Sequence, residues 1–126
     1  MSKKILVIED NQQNMYLTTF LLEKSGYEVI QAWNGVEGIK KAEASIPDLI
    51  LLDIQLPEMD GYEVAWMLKK IPEISKIPIV AVTSYAMRGD KENVMAAGCD
   101  GYIEKPINPD SFISEIEQYL LKGKRK

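Results

Sequence analysis

The chain has 126 residues, of which 46% are hydrophobic and 27% charged, and its formal net charge at pH 7 is −4. This length and balance predict one globular domain over residues 1–126, and the acidic balance argues against non-specific nucleic-acid binding. Because Cys99 is the only cysteine and no apolar run approaches the ~18 residues of a membrane span, we expect a cytoplasmic protein without disulfide, membrane or nucleic-acid partner.

Four mainly apolar segments predict strands, and each ends in polar residues. They are Lys4 to Ile8 before Glu9-Asp10, Leu49 to Leu52 before Asp53, Ile79 to Val82 before Thr83, and Gly101 to Glu104 before Lys105-Pro106. Continuous apolar runs are typical of strands buried on both faces of a parallel sheet. Tyr27 to Gln31 alternates and predicts a more exposed strand.

Helix signals separate these strands. Asn11 is expected to cap a first helix with Leu17, Phe20 and Leu21 on its apolar face and its end at Gly26. The pairs Asn34 with Glu37 and Asp60 with Glu63 have capping-box spacing, and Asn108-Pro109-Asp110 predicts the start of the last helix. A weaker helix is expected from Met87 to Ala97, and residues 122–126 (KGKRK) form a short basic tail. Five βα units in succession predict a parallel sheet with right-handed crossovers.

Strand ends of a parallel sheet share one edge, so we expect five polar residues to meet there. They are Glu9, Asp10, Asp53, Thr83 and Lys105. Three neighbouring carboxylates repel one another unless a cation lies among them, and an open site of carboxylates with a backbone carbonyl suits Mg²⁺. The alternative, five unrelated polar strand ends, explains any single residue well but the whole set poorly.

These motifs, together with Leu56-Pro57 and Asp60-Gly61, resemble the receiver domain of two-component response regulators, over Lys4 to about Leu121. The similarity is greatest to stand-alone receivers of the DivK type, through IEDNQQNM and VAVTSYAMRGDKENVMAAGCDGYIEKPI. The resemblance implies a flavodoxin-like, doubly wound α/β fold with five parallel strands in the order 2-1-3-4-5 and five helices, and ligands at the carboxyl edge of such a sheet.

The same resemblance implies roles for the site residues. Asp53 would be the phospho-acceptor, assisted by Lys105 and by the hydroxyl of Thr83. Glu9, Asp10, Asp53 and the backbone carbonyl of Gln55 would hold Mg²⁺, with Glu9 acting mainly through water. Lys105-Pro106 would hold a cis peptide, and Ser84 and Tyr85 would influence access.

The implied output is a change of surface, in which Thr83 and Tyr102 move together and reshape the face formed by the fourth helix, fifth strand and fifth helix. The chain contains no histidine, so its phosphoryl donor would be a histidine kinase, a histidine phosphotransfer protein or a small phosphodonor. We expect a bacterial signalling protein, not an enzyme beyond its own phosphorylation and dephosphorylation, that binds a downstream target as a monomer or weak phosphorylation-dependent dimer.

Three other classes are less favoured. A phosphatase or phosphotransferase resembling the haloacid dehalogenase family would carry a second Asp where this chain has Gln55. A flavin- or nucleotide-binding flavodoxin-like protein would need a phosphate loop after the first strand, where Glu9 and Asp10 would repel phosphate. A DNA-binding regulator would need a second domain.

Overall fold

A computed structural model of the chain describes residues 3–56, 60–83 and 88–124. Strands and helices alternate through the described residues. The strands are β1 (Lys4–Ile8), β2 (Glu28–Ala32), β3 (Leu49–Asp53), β4 (Ile79–Thr83) and β5 (Gly101–Glu104). The helices are α1 (Gln12–Lys24), α2 (Gly35–Ser45), α3 (Gly61–Lys69), α4 (Arg88–Ala96) and α5 (Pro109–Lys124).

The five strands form one parallel sheet in the order β2-β1-β3-β4-β5, which confirms the predicted fold class. The order reverses beside β1, whose neighbours are β2 and β3. Ile8 is aligned with Leu52, Asp53 with Val82, and Thr83 with Glu104. The carboxyl ends of β1, β3, β4 and β5 therefore lie along one edge.

Two core layers cover the sheet. The first core layer packs α2, α3 and α4 on one face, and the second core layer packs α1 and α5 on the other. The side chains of β3 alternate between the layers and are all buried, as its continuous apolar run predicts. Phe112, Ile116 and Leu120 are buried on α5 at the predicted helical spacing.

Side-chain caps set several helix starts. Asn34 Oδ1 accepts the Glu37 N–H at 2.8 Å, as predicted, but the Glu37 carboxylate accepts the N–H of Trp33, one residue before the cap. Asn11 Oδ1 accepts the Asn14 N–H at 2.9 Å. Each such bond satisfies an amide that the first helical turn leaves without an intrahelical partner.

Some sequence-based expectations were wrong in detail. The buried face of α1 consists of Met15, Thr18 and Leu22, whereas Phe20 is 50% exposed and stacks on Tyr16. Leu21 packs partly buried against the second core layer, so hydrophobic spacing located part of this face but missed its buried centre. In the described residues, no helix combines the length and hydropathy needed to cross a membrane.

Candidate functional site

The carboxyl edge of the sheet brings three acids together. Glu9 and Asp10 follow β1 directly, and Asp53 is the last residue of the central strand β3. One carboxylate oxygen from each residue lies within 4.8 Å of the others. Glu9 and Asp53 are buried, whereas Asp10 is exposed, so two acids of the cluster lie beneath the surface and the third lies at the surface.

Lys105 extends over the same cluster from the end of β5. Its ammonium nitrogen lies 3.2 Å from Asp53 Oδ2 and 3.3 Å from Glu9 Oε1. The backbone N–H of Lys105 donates to the Thr83 carbonyl at 2.8 Å, which ties the start of this loop to the end of β4. The peptide bond from Lys105 to Pro106 is cis. One cation is thus placed between two buried carboxylates.

Backbone amides orient both buried acids. The N–H of Gln55 donates to Asp53 Oδ1 at 2.9 Å, and the N–H of Asn11 donates to Glu9 Oε2 at 3.1 Å. Both bonds span two residues, because the chain turns immediately after each strand ends. Asp53 therefore uses one oxygen for the backbone and the other for Lys105.

The pKa of Glu9 is raised by its surroundings in the site. Burial raises the pKa of its carboxyl, a hydrogen bond and repulsion from Asp53 raise it further, and the Asn11 amide and Lys105 lower it, with a net value of about 7. The raised pKa means that Glu9 resists ionisation beside the Asp53 carboxylate unless further positive charge is added. Carboxylate oxygens are the ligands that Mg²⁺ prefers, so the donor set fits a divalent cation.

The remaining predicted residues are arranged around this centre. Thr83 is buried at the end of β4, and Tyr102 is half-buried in β5, aligned with Ala81 of β4. Gln55 is exposed, and its backbone N–H donates to Asp53 Oδ1. Ser84 and Tyr85, predicted to influence access, lie outside the described residues.

Gly61, which the sequence analysis used only as part of the Asp60-Gly61 motif, packs against the site. A Cβ atom at this position would lie 2.8 Å from the Asp53 carbonyl oxygen and 2.5 Å from Ile54 Cα. The first turn of α3 therefore packs directly on the backbone that carries Asp53. The Asp60-Gly61 pair signals a turn, but this approach depends on tertiary packing and has no sequence signal of its own.

A comparison with models of protein families identifies the domain that contains this site. The model for the response regulator receiver domain matches residues 5–117, which include every acid of the cluster and Lys105. The chain belongs to this family. Such domains act in two-component signalling.

Full-length relatives and solved structures agree with that assignment. The chain is 48% identical over 120 residues to the polar-differentiation response regulator DivK of Brucella anthropi, covering 95% of this chain and 98% of that protein. It is 33% identical to a CheY-like receiver domain protein of Methanospirillum hungatei, with a TM-score of 0.91 and coverage of 99% and 98%. The receiver domain of the sensor histidine kinase PA1611 of Pseudomonas aeruginosa, solved with magnesium in its active-site cleft, is 30% identical with a TM-score of 0.88 and coverage of 95% and 98%.

Proposed function

We propose that Asp53 accepts a phosphoryl group and that this modification switches the binding of a protein partner. The observation that carries the proposal is the environment of the Asp53 carboxylate. It is buried at the end of the central strand, 3.2 Å from the Lys105 ammonium and within 4.8 Å of two further acids. A structural ion pair would need one acid for one base. Three acids, two of them buried, share one ammonium here, and this surplus of acids points to a site that binds a cation.

Magnesium fits that surplus. Glu9, Asp10 and Asp53 would hold the ion, with the backbone carbonyl of Gln55 as a further oxygen donor and Glu9 acting mainly through water. When bound, Mg²⁺ would neutralise charge on the phosphoryl oxygens. The related PA1611 receiver domain contains magnesium in its active-site cleft, which supports the same metal here.

Asp53 would act as the nucleophile. A carboxylate oxygen forms a bond to phosphorus while the bond from phosphorus to the donor nitrogen breaks, and the electron pair of that bond stays on the donor's imidazole. The donor is a phosphohistidine on a histidine kinase or a phosphotransfer protein, because this chain contains no histidine. A small acyl phosphate would react in the same way, with an oxygen as the leaving atom.

Lys105 and Thr83 would hold the product. The Lys105 ammonium, freed from its pairing with Asp53, would bind a phosphoryl oxygen as a fixed positive charge. The Thr83 hydroxyl would donate to a second oxygen. Charge-assisted hydrogen bonds of this kind are about twice as strong as neutral ones, so they favour an arrangement of the β4 end that differs from the unphosphorylated one.

The output would follow from that rearrangement. Thr83 and Tyr102 would move together and reshape the face of α4, β5 and α5, which binds the downstream target. Ser84 and Tyr85 would set access to Asp53. Four further expectations stay predictions. They are one domain over residues 1–126, a cytoplasmic location, no catalysis beyond the protein's own phosphorylation and dephosphorylation, and a monomer or weak phosphorylation-dependent dimer.

Acetyl phosphate and Mg²⁺ provide a direct test by intact-mass spectrometry. The wild-type chain should gain one phosphoryl group, lose it after hydroxylamine treatment, and gain none when Mg²⁺ is chelated. Asp53→Asn should gain none while its thermal unfolding stays cooperative. Asp110→Asn, which alters an exposed acid in the first turn of α5, is the matched control and should be labelled normally. Full labelling of Asp53→Asn would place the acceptor elsewhere and overturn the proposal.

A further inference from the structure

Gly101, the first residue of β5, packs directly against the aromatic ring of Tyr119 from α5. A Cβ atom built at Gly101 would overlap the phenol end of Tyr119, with Cε1, Cζ and the hydroxyl oxygen as its three nearest atoms. Gly101 itself is buried. The ring of Tyr119 thus occupies the space that any other residue at position 101 would fill.

Tyr119 also contacts the next residue of the strand. Burial raises the pKa of its phenol, whereas a hydrogen bond from the Tyr102 backbone N–H lowers it. Tyr119 is half-buried against the second core layer, in the same helix as the buried Ile116 and Leu120. Its ring therefore joins the body of α5 to two consecutive residues of β5.

The two tyrosines lie on opposite sides of one strand. Tyr102 packs against the first core layer, together with α4, whereas Tyr119 packs against the second. Among the described strands, β5 lies at the edge of the sheet and has β4 as its single neighbour. A strand with one neighbour is held less firmly than a central one, so the Tyr119 contact is an additional restraint on its position.

We propose that Tyr119 is a positioning residue that transmits movement of β5 to α5, through its ring beside Gly101 and its hydroxyl on the Tyr102 backbone. The inference rests on the proposed function, since it concerns how the change at Thr83 and Tyr102 reaches the output face. Where a shift of Tyr102 toward or away from the first core layer moves the β5 backbone, it also moves the N–H that donates to Tyr119. The Tyr119 hydroxyl, held by that backbone, moves α5 with it.

Beryllofluoride with Mg²⁺ is the probe, because it tests the switch without a natural donor. Amide chemical shifts would be followed at Val82, which is aligned with Asp53, and at Ile116 and Leu120 on α5. Tyr119→Phe removes the hydroxyl and keeps the ring. Tyr27→Phe is the matched control, since Tyr27 is half-buried in the same layer and lines a cavity with Glu117 and Leu120 of α5, but follows α1 and precedes β2.

In Tyr119→Phe, Val82 should respond to beryllofluoride as in the wild type, whereas the chemical-shift changes at Ile116 and Leu120 should be largely lost. Tyr27→Phe should leave both responses unchanged. An unchanged α5 response in Tyr119→Phe, or an equal loss in Tyr27→Phe, overturns the inference. If Val82 of the wild type does not respond at all, the proposed function fails instead.

The wild-type chain offers an independent measurement that no folding defect can obscure. With ¹³C-labelled tyrosine, the ring signals of Tyr119 should shift on addition of beryllofluoride and Mg²⁺, together with those of Tyr102. A response at Tyr102 with none at Tyr119 would show that the two residues move independently and would overturn the inference.

Discussion

Lys105 places its ammonium nitrogen 3.3 Å from a carboxylate oxygen of Glu9, yet the pKa of that carboxyl is raised to about 7. The same ammonium lies 3.2 Å from Asp53, so one positive charge serves two buried acids. Burial of Glu9 and repulsion from Asp53 therefore outweigh the attraction of Lys105. The metal-free pocket is short of positive charge, and this shortage has measurable consequences.

Glu9→Gln should stabilise the metal-free protein at about pH 8 by about 1–3 kcal/mol. Because the folded-state pKa of Glu9 is raised from 4.5 to about 7, the folded protein holds this proton more tightly than the unfolded chain. Its contribution to the free energy of unfolding is present below pH 4.5 and is lost as pH rises through 7. Urea unfolding with a chelator at about pH 4.5 and 8 should show the advantage of the variant only at the higher pH.

The control for this substitution is Glu43→Gln, which removes an exposed carboxylate from α2. Surface changes of this kind usually alter stability by less than about 0.5 kcal/mol, so it should differ little from the parent at either pH. An advantage of Glu9→Gln that is equal at both pH values would contradict the assignment of the strain to ionised Glu9.

Magnesium should stabilise the folded chain through the same three acids. At a free ion concentration about 100 times Kd, binding to the folded state alone adds about 2.7 kcal/mol to the free energy of unfolding. Thermal unfolding at pH 8, titrated with MgCl₂ at constant ionic strength, measures this gain. Asp10→Asn should need more Mg²⁺ for the same shift, whereas the Glu43→Gln control should follow the parent. Equal shifts with Mg²⁺ in all three proteins would indicate binding elsewhere.

Gly61→Ala should lower the free energy of unfolding by about 2–4 kcal/mol, within the range of severe packing changes. The added methyl would meet backbone atoms of Asp53 and Ile54 at 2.5–2.8 Å, and backbone cannot move aside as a flexible side chain can. Gly26→Ala is the control, since nothing lies within 4 Å of its Cβ and only its φ of 94° opposes the change. Urea unfolding should rank Gly61→Ala as the more damaging. The reverse order would mean that the backbone between β3 and α3 moves enough to accommodate the methyl group at little cost.

The sequence predicts the sheet well because burial leaves a direct pattern. A strand covered on both faces must be apolar throughout, so β1, β3 and β4 could be located to within a residue. Their polar ends could then be assigned to one edge, because all parallel strands of a sheet point the same way. The half-exposed β2 was displaced by one residue, since alternation fixes a phase but not an end point.

Contacts that depend on tertiary packing have no comparable pattern. The approach of α3 to the Asp53 backbone at Gly61, and that of Tyr119 to Gly101, involve glycines that a sequence shows only as turn or strand residues. The pKa of Glu9 could be anticipated in direction from three converging acids, but its burial could not. Spacing identified Leu17, Phe20 and Leu21 as a face of α1. Leu21 does pack against the second core layer, but the buried residues of the helix are Met15, Thr18 and Leu22.

Lys69→Met should lower the free energy of unfolding by about 1–3 kcal/mol. Its ammonium donates to the carbonyls of Ser75 and Ile77 at 3.2 and 3.1 Å and to Asp100 Oδ2 at 3.1 Å, and it thereby joins α3 to the connections before β4 and β5. Methionine keeps the apolar stem but removes the ammonium from all three acceptors, of which Asp100 Oδ2 still accepts the Ile79 N–H at 2.8 Å. Lys40→Met, at an exposed position of α2, should have little effect. Equal urea unfolding of both variants would show that the contacts around Lys69 add no stability.

Ile46→Gly should raise the free energy of unfolding by about 0.5–1 kcal/mol. Ile46 ends α2 with φ 45° and ψ 70°, a left-handed conformation that costs a β-branched residue roughly 1–2 kcal/mol. Because the Ile46 side chain is 45% exposed, its removal sacrifices little apolar contact. Glycine relieves this strain but adds chain entropy to the unfolded state, which cancels part of the gain. Lys40→Gly, in the interior of the same helix, should instead lose about 1 kcal/mol. Urea unfolding should therefore move the two glycine variants in opposite directions, and a loss of stability in both would show that Ile46 is not strained.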